Sequence, residues 1–158
     1  DVTSRQEVRS EAQGCLETRR AEQEATEEAE RAAAREAAIA SAQPVNVDEI
    51  IKNPDAVTGQ VFTMVVLITQ FDAATGTCAF RGYWDSAQRE YNFEYAGDNA
   101  LFTAGDGLNR PVLDGIDQND TIRVAAEGKG SFSYDTQIGG STTVPSFEVL
   151  RAEVLLKE

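Results

Sequence analysis

The chain has 158 residues, of which 27 are Asp or Glu and 14 are Lys or Arg, so its formal net charge is −13. A surface this acidic repels phosphate backbones and anionic membranes and favours cationic partners. The sequence contains no His, which excludes the commonest metal ligand and the commonest general base near neutral pH.

The composition changes at Pro44. Residues 1–43 are mostly Ala, Glu, Arg and Gln and include no aromatic residue. These are strong helix formers, so residues 4–42 are predicted to form one long helix that Pro44 ends. Its small apolar residues recur every three or four positions and make a thin seam on one side. Residues 1–44 are therefore interpreted as a helical arm, which serves either as a solvated spacer or as an assembly helix that contacts a protein partner or a second copy.

Residues 45–158 contain every Phe, Tyr and Trp of the chain and are predicted to form one β-domain. A helical turn is expected at 47–55, and residues 98–120, rich in Gly, Asp and Asn, are expected to form an irregular insertion. Alternating apolar residues and turn signals predict strands at 61–69, 77–84, 90–95, 121–134 and 144–156. The predicted fold is α+β: a long N-terminal α-helix followed by a five-stranded Greek-key β-barrel.

Three segments carry a resemblance to the OB-fold. They are residues 50–55 (Ile-Ile-Lys-Asn-Pro-Asp) with Gly59 and Val61, residues 119–124 (Asn-Asp-Thr-Ile-Arg-Val), and residues 145–149 (Pro-Ser-Phe-Glu-Val) with 152–154 (Ala-Glu-Val). Over about residues 45–158 the chain resembles the small exported bacterial type of this domain. The resemblance implies an OB-type barrel and an extracytoplasmic location, but these structural motifs imply no activity.

Aromatic residues near strands two and three are the candidate recognition surface. Many proteins of the wider fold bind single-stranded nucleic acid there, with basic grooves and stacking aromatics. The alternative is core packing, which is expected for Phe80 and Trp84 and for the face formed by Tyr91, Phe93 and Tyr95. Few bases lie nearby, so nucleic acid is expected to be an unlikely partner. The candidate ligand-binding residues are Tyr83, Tyr91, Tyr95, Arg81 and Arg89.

An acidic loop contains Asp114, Asp117 and Asp120, which are weak candidates for a metal site. Carboxylate oxygens at such spacing can hold Ca²⁺, but the sequence is not that of an EF-hand loop. Short runs of Asp, Asn and Gly more often form turns. We therefore expect no metal and no other cofactor.

The two cysteines admit three interpretations. Cys78 alternates with Phe80 on a predicted strand and suits a buried free thiol, and Cys15 lies on the polar helix. A bridge between Cys15 and Cys78 is the second possibility, and a bridge between the Cys15 residues of two copies is the third. Free thiols are the first choice.

No catalytic motif is present, because without His or an activated Cys no nucleophile–base pair can be named. The expected function is a non-enzymatic binding or assembly module of the bacterial cell envelope, with an acidic barrel that contacts a protein, a peptide or a small ligand. The alternative is a single-stranded nucleic-acid-binding OB domain. The chain begins at Asp1 without Met, so a processed, trimmed or partly disordered start is expected, and whether a signal or an anchor precedes it stays open.

Overall fold

The computed structural model describes residues 2–105 and 110–158, and the chain divides into two compact units, Asp1–Ala37 and Ala38–Glu158. The predicted division at Pro44 lies close to this boundary. That residues 1–44 and 45–158 are separate domains stays a prediction. Among the described residues, no helix is both long enough and apolar enough to cross a membrane.

Helix α1 extends from Val2 to Ala40 and none of its residues is buried. Gly14 does not interrupt it, because strong helix formers flank the glycine on both sides. Thr18 Oγ1 donates a hydrogen bond to the Gly14 carbonyl at 3.0 Å, within the regular helical spacing. The helix ends before Pro44, where Ser41 Oγ donates to the Ala38 carbonyl at 2.7 Å. The long N-terminal helix is confirmed, and its role in assembly stays a prediction.

The second unit is a closed barrel of five strands with short helices at its ends, which confirms the OB-type Greek-key prediction. A two-residue strand precedes the barrel, and an α-helix and a 3₁₀ helix lie between that strand and the first barrel strand. The elements are β1 Gln43–Pro44, α2 Val47–Lys52, 3₁₀ Pro54–Val57, β2 Val61–Gln70, β3 Ala79–Asp85, 3₁₀ Asn92–Glu94, β4 Gly97–Thr103, 3₁₀ Arg110–Leu113, β5 Thr121–Asp135 and β6 Ser141–Leu156.

The barrel closes because β2 pairs with strands on both of its sides. The strand order is β1-β2-β3-β4-β6-β5, and β5 pairs back onto β2. All pairs are antiparallel except β4 with β6 and the short β1 with β2. Strand β1 pairs with Phe62 and Thr63, whereas β3 pairs with β2 only from Val65 onward. The early part of β2 therefore has a partner on its β3 side, which removes an exposed strand edge.

A row of aromatic rings fills the barrel interior. Phe80, Phe102 and Phe147 lie directly opposite one another on β3, β4 and β6 and are fully or almost fully buried. The centroids of Phe80 and Phe102 are 5.2 Å apart, and those of Phe102 and Phe147 are 5.4 Å apart. Trp84 meets Phe147 edge-on at 5.4 Å. The predicted burial of Phe80 and Trp84 is confirmed.

The predicted third strand at 90–95 is wrong, because β4 lies further along the chain at Gly97–Thr103. Residues 92–94 form a 3₁₀ turn instead. Tyr91 and Phe93, expected in the core, are 52 % and 80 % exposed, and of the three alternating aromatics only Tyr95 is buried. The alternation of aromatic residues is typical of a strand. However, the buried Asp85 carboxylate accepts hydrogen bonds from the backbone N–H groups of Ser86 and Ala96, and these bonds close the segment into a turn.

Strands β5 and β6 extend beyond the barrel as a two-stranded hairpin. Their register shifts between Gly128 and Ser131, and regular pairing then runs to the end of the hairpin. At the shift, the Asp55 carboxylate accepts hydrogen bonds from the backbone N–H and the hydroxyl of Ser131, at 3.0 and 3.3 Å. Gly130 has a φ of 88°, a backbone conformation that glycine adopts at little cost. This bulge and its contact with Asp55 set the direction of the hairpin.

Replacing Gly130 with Ala is expected to destabilise the barrel more than the same change at Gly139. Both glycines have nearly the same positive φ, so each substitution carries a backbone cost of about 1–3 kcal/mol. An added Cβ at Gly130 would lie 2.6 Å from Asp55 Oδ1, whereas nothing lies within 4 Å of one at Gly139. Urea unfolding of the two variants measures the difference. Equal losses of unfolding free energy would show that the Asp55 contact does not anchor the hairpin.

Candidate functional site

A group of four side chains lies where the hairpin meets the outer face of β3 and β4. We call it the hairpin platform and define it as Arg81, Asn99, Phe132 and Tyr134. The Phe132 and Tyr134 rings stack with their centroids 6.4 Å apart and an angle of 26° between their planes. Phe132 is 40 % exposed. The platform therefore presents aromatic surface to solvent on a regular strand.

Arg81 and Asn99 fix the Tyr134 ring from two sides. The Arg81 guanidinium carbon lies 4.0 Å from the centroid of the ring, which is a cation–π contact. Asn99 Nδ2 donates a hydrogen bond to the Tyr134 hydroxyl at 3.0 Å. Arg81 Nε is buried and has no hydrogen-bond partner among the described residues, so the ring contact rather than a bond from Nε positions the guanidinium. The platform is thus ordered without an acidic partner in any of these contacts.

The barrel interior explains why Arg81 lies on the outer face. Phe80 faces inward, and successive residues of a strand point to opposite sides, so Arg81 points outward. Arg81 is paired with Leu101 of β4, and Leu101 is paired with Ser146 of β6. In the hairpin, Phe132 and Tyr134 lie two residues apart on one strand and share a face. The interior register and the hairpin direction together bring the four platform residues into contact.

The five residues expected to bind a ligand lie in three different places. Arg81 belongs to the platform. Tyr83 lies half-buried on the same strand, paired with Leu67 of β2. Arg89, Tyr91 and Tyr95 instead belong to the turn between β3 and β4, which we call the aromatic turn and define as residues 86–96. Their role in binding stays a prediction, but the structure does not gather all five into one site.

Asp85 holds the aromatic turn together from its base. Its carboxylate is buried and accepts from the backbone N–H groups of Ser86 and Ala96 and from Arg89 Nε, the last at 3.0 Å. Burial raises the pKa of Asp85, but the hydrogen bonds from Arg89, Ala96 and Ser86 outweigh it, and the net pKa is lowered from its ordinary value of 3.8. The carboxylate therefore stays ionised and fixes the turn.

A cleft of about 340 Å³ lies beside the aromatic turn. We call it the turn cleft. Its floor and walls come from β2, the turn, the segment before β5 and the end of β6, and none of the platform residues lines it. The lining residues are Leu67, Gln88, Arg89, Glu90, Tyr91, Asn92, Tyr95, Asn119, Thr121, Leu156, Lys157 and Glu158.

The acidic loop before β5 binds an ammonium group. Lys157 Nζ lies 2.8 Å from Oδ2 of both Asp117 and Asp120 and 3.1 Å from the Gly115 carbonyl oxygen. Asp114, the third weak metal candidate, is exposed. No group of three potential metal-ligating side chains occurs in the parts of the chain that the structure describes. The geometry thus assigns Asp117 and Asp120 to anchoring Lys157 near the end of β6.

Both cysteines are free thiols in the structure. Cys15 is exposed on α1, and Cys78 is half-buried and packs against the barrel core.

Sequence reasoning missed Asn99, Phe132 and Tyr134. Residues 98–103 were interpreted as part of an irregular insertion, which hid the outward position of Asn99 on β4. Phe132 and Tyr134 lie in the correctly predicted fourth strand, and their spacing of two shows that they share a face. That spacing does not reveal the bulge at Gly128–Ser131. The bulge sets the direction of the hairpin and therefore determines which residues the shared face contacts.

Comparisons with known proteins return structural matches alone. No family model matches the chain, and no curated protein matches it. Two crystal structures of the mitochondrial single-stranded DNA-binding protein Rim1 from S. cerevisiae are similar to it. The first is 10 % identical to this chain with a TM-score of 0.36, and the match covers 63 % of this chain and 97 % of the Rim1 chain. The second, a selenomethionine form, is 12 % identical with a TM-score of 0.34, and the match covers 63 % of this chain and 98 % of the Rim1 chain.

The expected function and the expected partners disagree with these matches. The expectation of a cell-envelope module for which nucleic acid is an unlikely partner is wrong. The matched structures are of proteins named for single-stranded DNA binding. Nothing in the comparisons supports a bacterial or exported type of OB-fold. At this identity and TM-score the likeness assigns no function to this chain. An extracytoplasmic location stays a prediction.

The aromatic turn is expected to loosen when Asp85 loses its charge. Because the pKa of Asp85 is lowered in the folded state, the ionised carboxylate stabilises that state fully above about pH 3.8. The contribution disappears as the pH falls through the lowered pKa. Asp85→Asn is expected to cost about 1–3 kcal/mol at neutral pH and to flatten the loss of stability in acid.

Thermal unfolding between neutral and acid pH, with hydrogen exchange of the Ala96 amide, measures this effect. Asp98→Asn is the control, because that exposed carboxylate lies just beyond the turn. Unchanged protection of Ala96 in the Asp85 variant would contradict the assignment.

Proposed function

We propose that the barrel is a non-catalytic module that binds single-stranded nucleic acid on the hairpin platform. The observation that carries the proposal is the contact set of Tyr134, which stacks with Phe132, lies under Arg81 and accepts a hydrogen bond from Asn99. Aromatic and guanidinium planes are the groups on which unstacked bases stack. A side-chain amide can in addition bond to a base edge.

The exposed aromatic surface on the hairpin strand is better suited to stacking with a nucleobase than to packing in the core. Phe132 is 40 % exposed although it lies in a regularly paired part of the hairpin, opposite the buried Val144. Its ring and the Tyr134 ring form a continuous surface that a base can cover on one side. Each base–aromatic stack is worth about 1–3 kcal/mol, so two rings can sustain measurable affinity with little help from charge.

Arg81 is the basic residue best suited to contact a phosphate or a nucleobase. Its guanidinium lies over the Tyr134 ring, with Cζ 4.0 Å from the ring centroid. Four other basic residues among those the structure describes form ion pairs: Arg89 with Asp85, Arg123 with Glu153, Lys129 with Glu127 and Glu148, and Lys157 with Asp117 and Asp120. Residues 45–158 contain seventeen acids and eight bases, a formal charge of −9. The proposed binding therefore depends on stacking, with about one phosphate contact.

This balance sets the expected salt dependence. For single strands the logarithm of the binding constant falls with that of the salt concentration with a slope of about −0.7 for each phosphate neutralised. A site with one free guanidinium is expected to show a slope of about −1 or shallower. A basic groove that tracks many phosphates would give a much steeper slope.

Replacing Tyr134 with Ala is expected to weaken binding of a labelled oligothymidine roughly 5- to 100-fold, because it removes one stacking ring and the contact that orders Arg81. Phe132→Ala is expected to weaken it within the same range. Arg81→Lys keeps the charge but loses the planar group that stacks, so a smaller loss is expected. Fluorescence anisotropy at low ionic strength measures all three.

Tyr91→Ala is the matched control, since it removes an exposed ring of the barrel outside the platform and is expected to leave affinity unchanged. Absence of oligonucleotide binding by the full chain at low salt would end the proposal. So would equal affinity of the Tyr134 variant and the unsubstituted protein.

A further inference from the structure

The aromatic turn displays two apolar rings that the proposed function does not use. The Tyr91 and Phe93 rings are nearly parallel, with centroids 5.4 Å apart and planes at 4°. Their exposed fractions are 52 % and 80 %. Large exposed apolar groups are costly in water, and contiguous ones mark interaction sites more often than solitary ones do.

Hydrogen bonds hold the turn in the conformation that exposes these rings. Glu94 Oε2 accepts from the Tyr91 backbone N–H at 2.9 Å, and the Glu94 N–H donates back to the Tyr91 carbonyl at 3.1 Å. The Tyr95 hydroxyl accepts from the Arg89 backbone N–H at 3.4 Å, and Asp85 closes the base. The rings are thus presented by an ordered turn, and a partner would lose little entropy by ordering it further.

The turn cleft beside the rings combines an apolar surface with excess negative charge. Leu67 and Leu156 supply aliphatic surface, and Tyr91 and Tyr95 supply aromatic surface. Arg89, Glu90, Lys157 and Glu158 line the cleft, so two bases offset two acids there. The two bases are in turn bound by three further carboxylates, those of Asp85, Asp117 and Asp120. The immediate surroundings therefore carry three more acids than bases.

We infer that the turn cleft and the Tyr91–Phe93 pair are the docking surface for a basic, extended peptide segment of a partner protein. A Lys or Arg side chain of that segment would lie on the exposed rings, where cation–π attraction adds to the field of the acids. A neighbouring aliphatic side chain would lie against Leu67 and Leu156. Aromatic residues are enriched in the centre of such interfaces.

Charge selects this occupant over two others. A phosphate backbone would meet surroundings with three more acids than bases, and the two bases there, Arg89 and Lys157, are already paired. A second copy of the chain carries the same formal charge of −13, so two such surfaces repel each other. The inference is independent of the hairpin platform, whose residues do not line the cleft.

The test uses a fluorescein-labelled peptide in which Arg and Leu alternate, and a matched peptide in which Glu replaces every Arg. The full chain is expected to bind the basic peptide at low ionic strength and to bind the acidic one much more weakly. Combining Tyr91→Ala with Phe93→Ala is expected to weaken the basic peptide roughly tenfold. The exposed rings can be removed without loss of the backbone hydrogen bonds of the turn, and circular dichroism confirms that the variant is folded.

Phe132→Ala is the control variant, since it removes an exposed ring of the platform and is expected to leave peptide affinity unchanged. Failure to bind the basic peptide, equal binding of both peptides, or an unchanged affinity of the double variant would each overturn the inference. If the double variant loses oligonucleotide affinity instead, the aromatic turn serves nucleic acid and the peptide assignment is wrong. If only the Tyr134→Ala variant loses oligonucleotide binding, the peptide assignment of the aromatic turn stands.

Discussion

The interior row of Phe80, Phe102 and Phe147 is the constraint on which the rest of the barrel depends. These rings lie opposite one another across β3, β4 and β6 and stack at 5.2 and 5.4 Å. A slip of one residue in any of the three strands would turn a phenylalanine toward solvent, so the row fixes the register of all three. The same register determines which side chains face outward, and thereby places Arg81 and Asn99 on one surface.

The hairpin then converts that outer face into a site. Without the bulge between Gly128 and Ser131, β5 and β6 would continue the twist of the barrel wall. The bond from Ser131 to Asp55 ties the bulge to the 3₁₀ helix that precedes β2. Tyr134 consequently reaches Arg81 of β3, although the two residues are far apart in the chain. The platform is a product of tertiary structure and belongs to no single strand.

The sequence predicted the elements well and the sites only in part. The helix, four of the five barrel strands and the burial of Phe80 and Trp84 follow from local pattern. The third strand was misplaced because Tyr91, Phe93 and Tyr95 alternate like a strand, while the bonds of Asp85 close that segment into a turn. Arg81 was identified from its place among aromatics. Its aromatic partner, Tyr134, could not be, because their contact depends on a bulge whose geometry no local pattern specifies.

The central claim, that single-stranded nucleic acid stacks on the hairpin platform, is tested most directly by nuclear magnetic resonance. An isotope-labelled full chain would be titrated with unlabelled oligothymidine while amide and aromatic signals are followed. The account predicts that shifts concentrate at Arg81, Asn99, Phe132 and Tyr134, with the Tyr134 ring protons moving upfield as a base stacks on them. Shifts confined to the aromatic turn, or no shifts at saturating oligonucleotide, would contradict it.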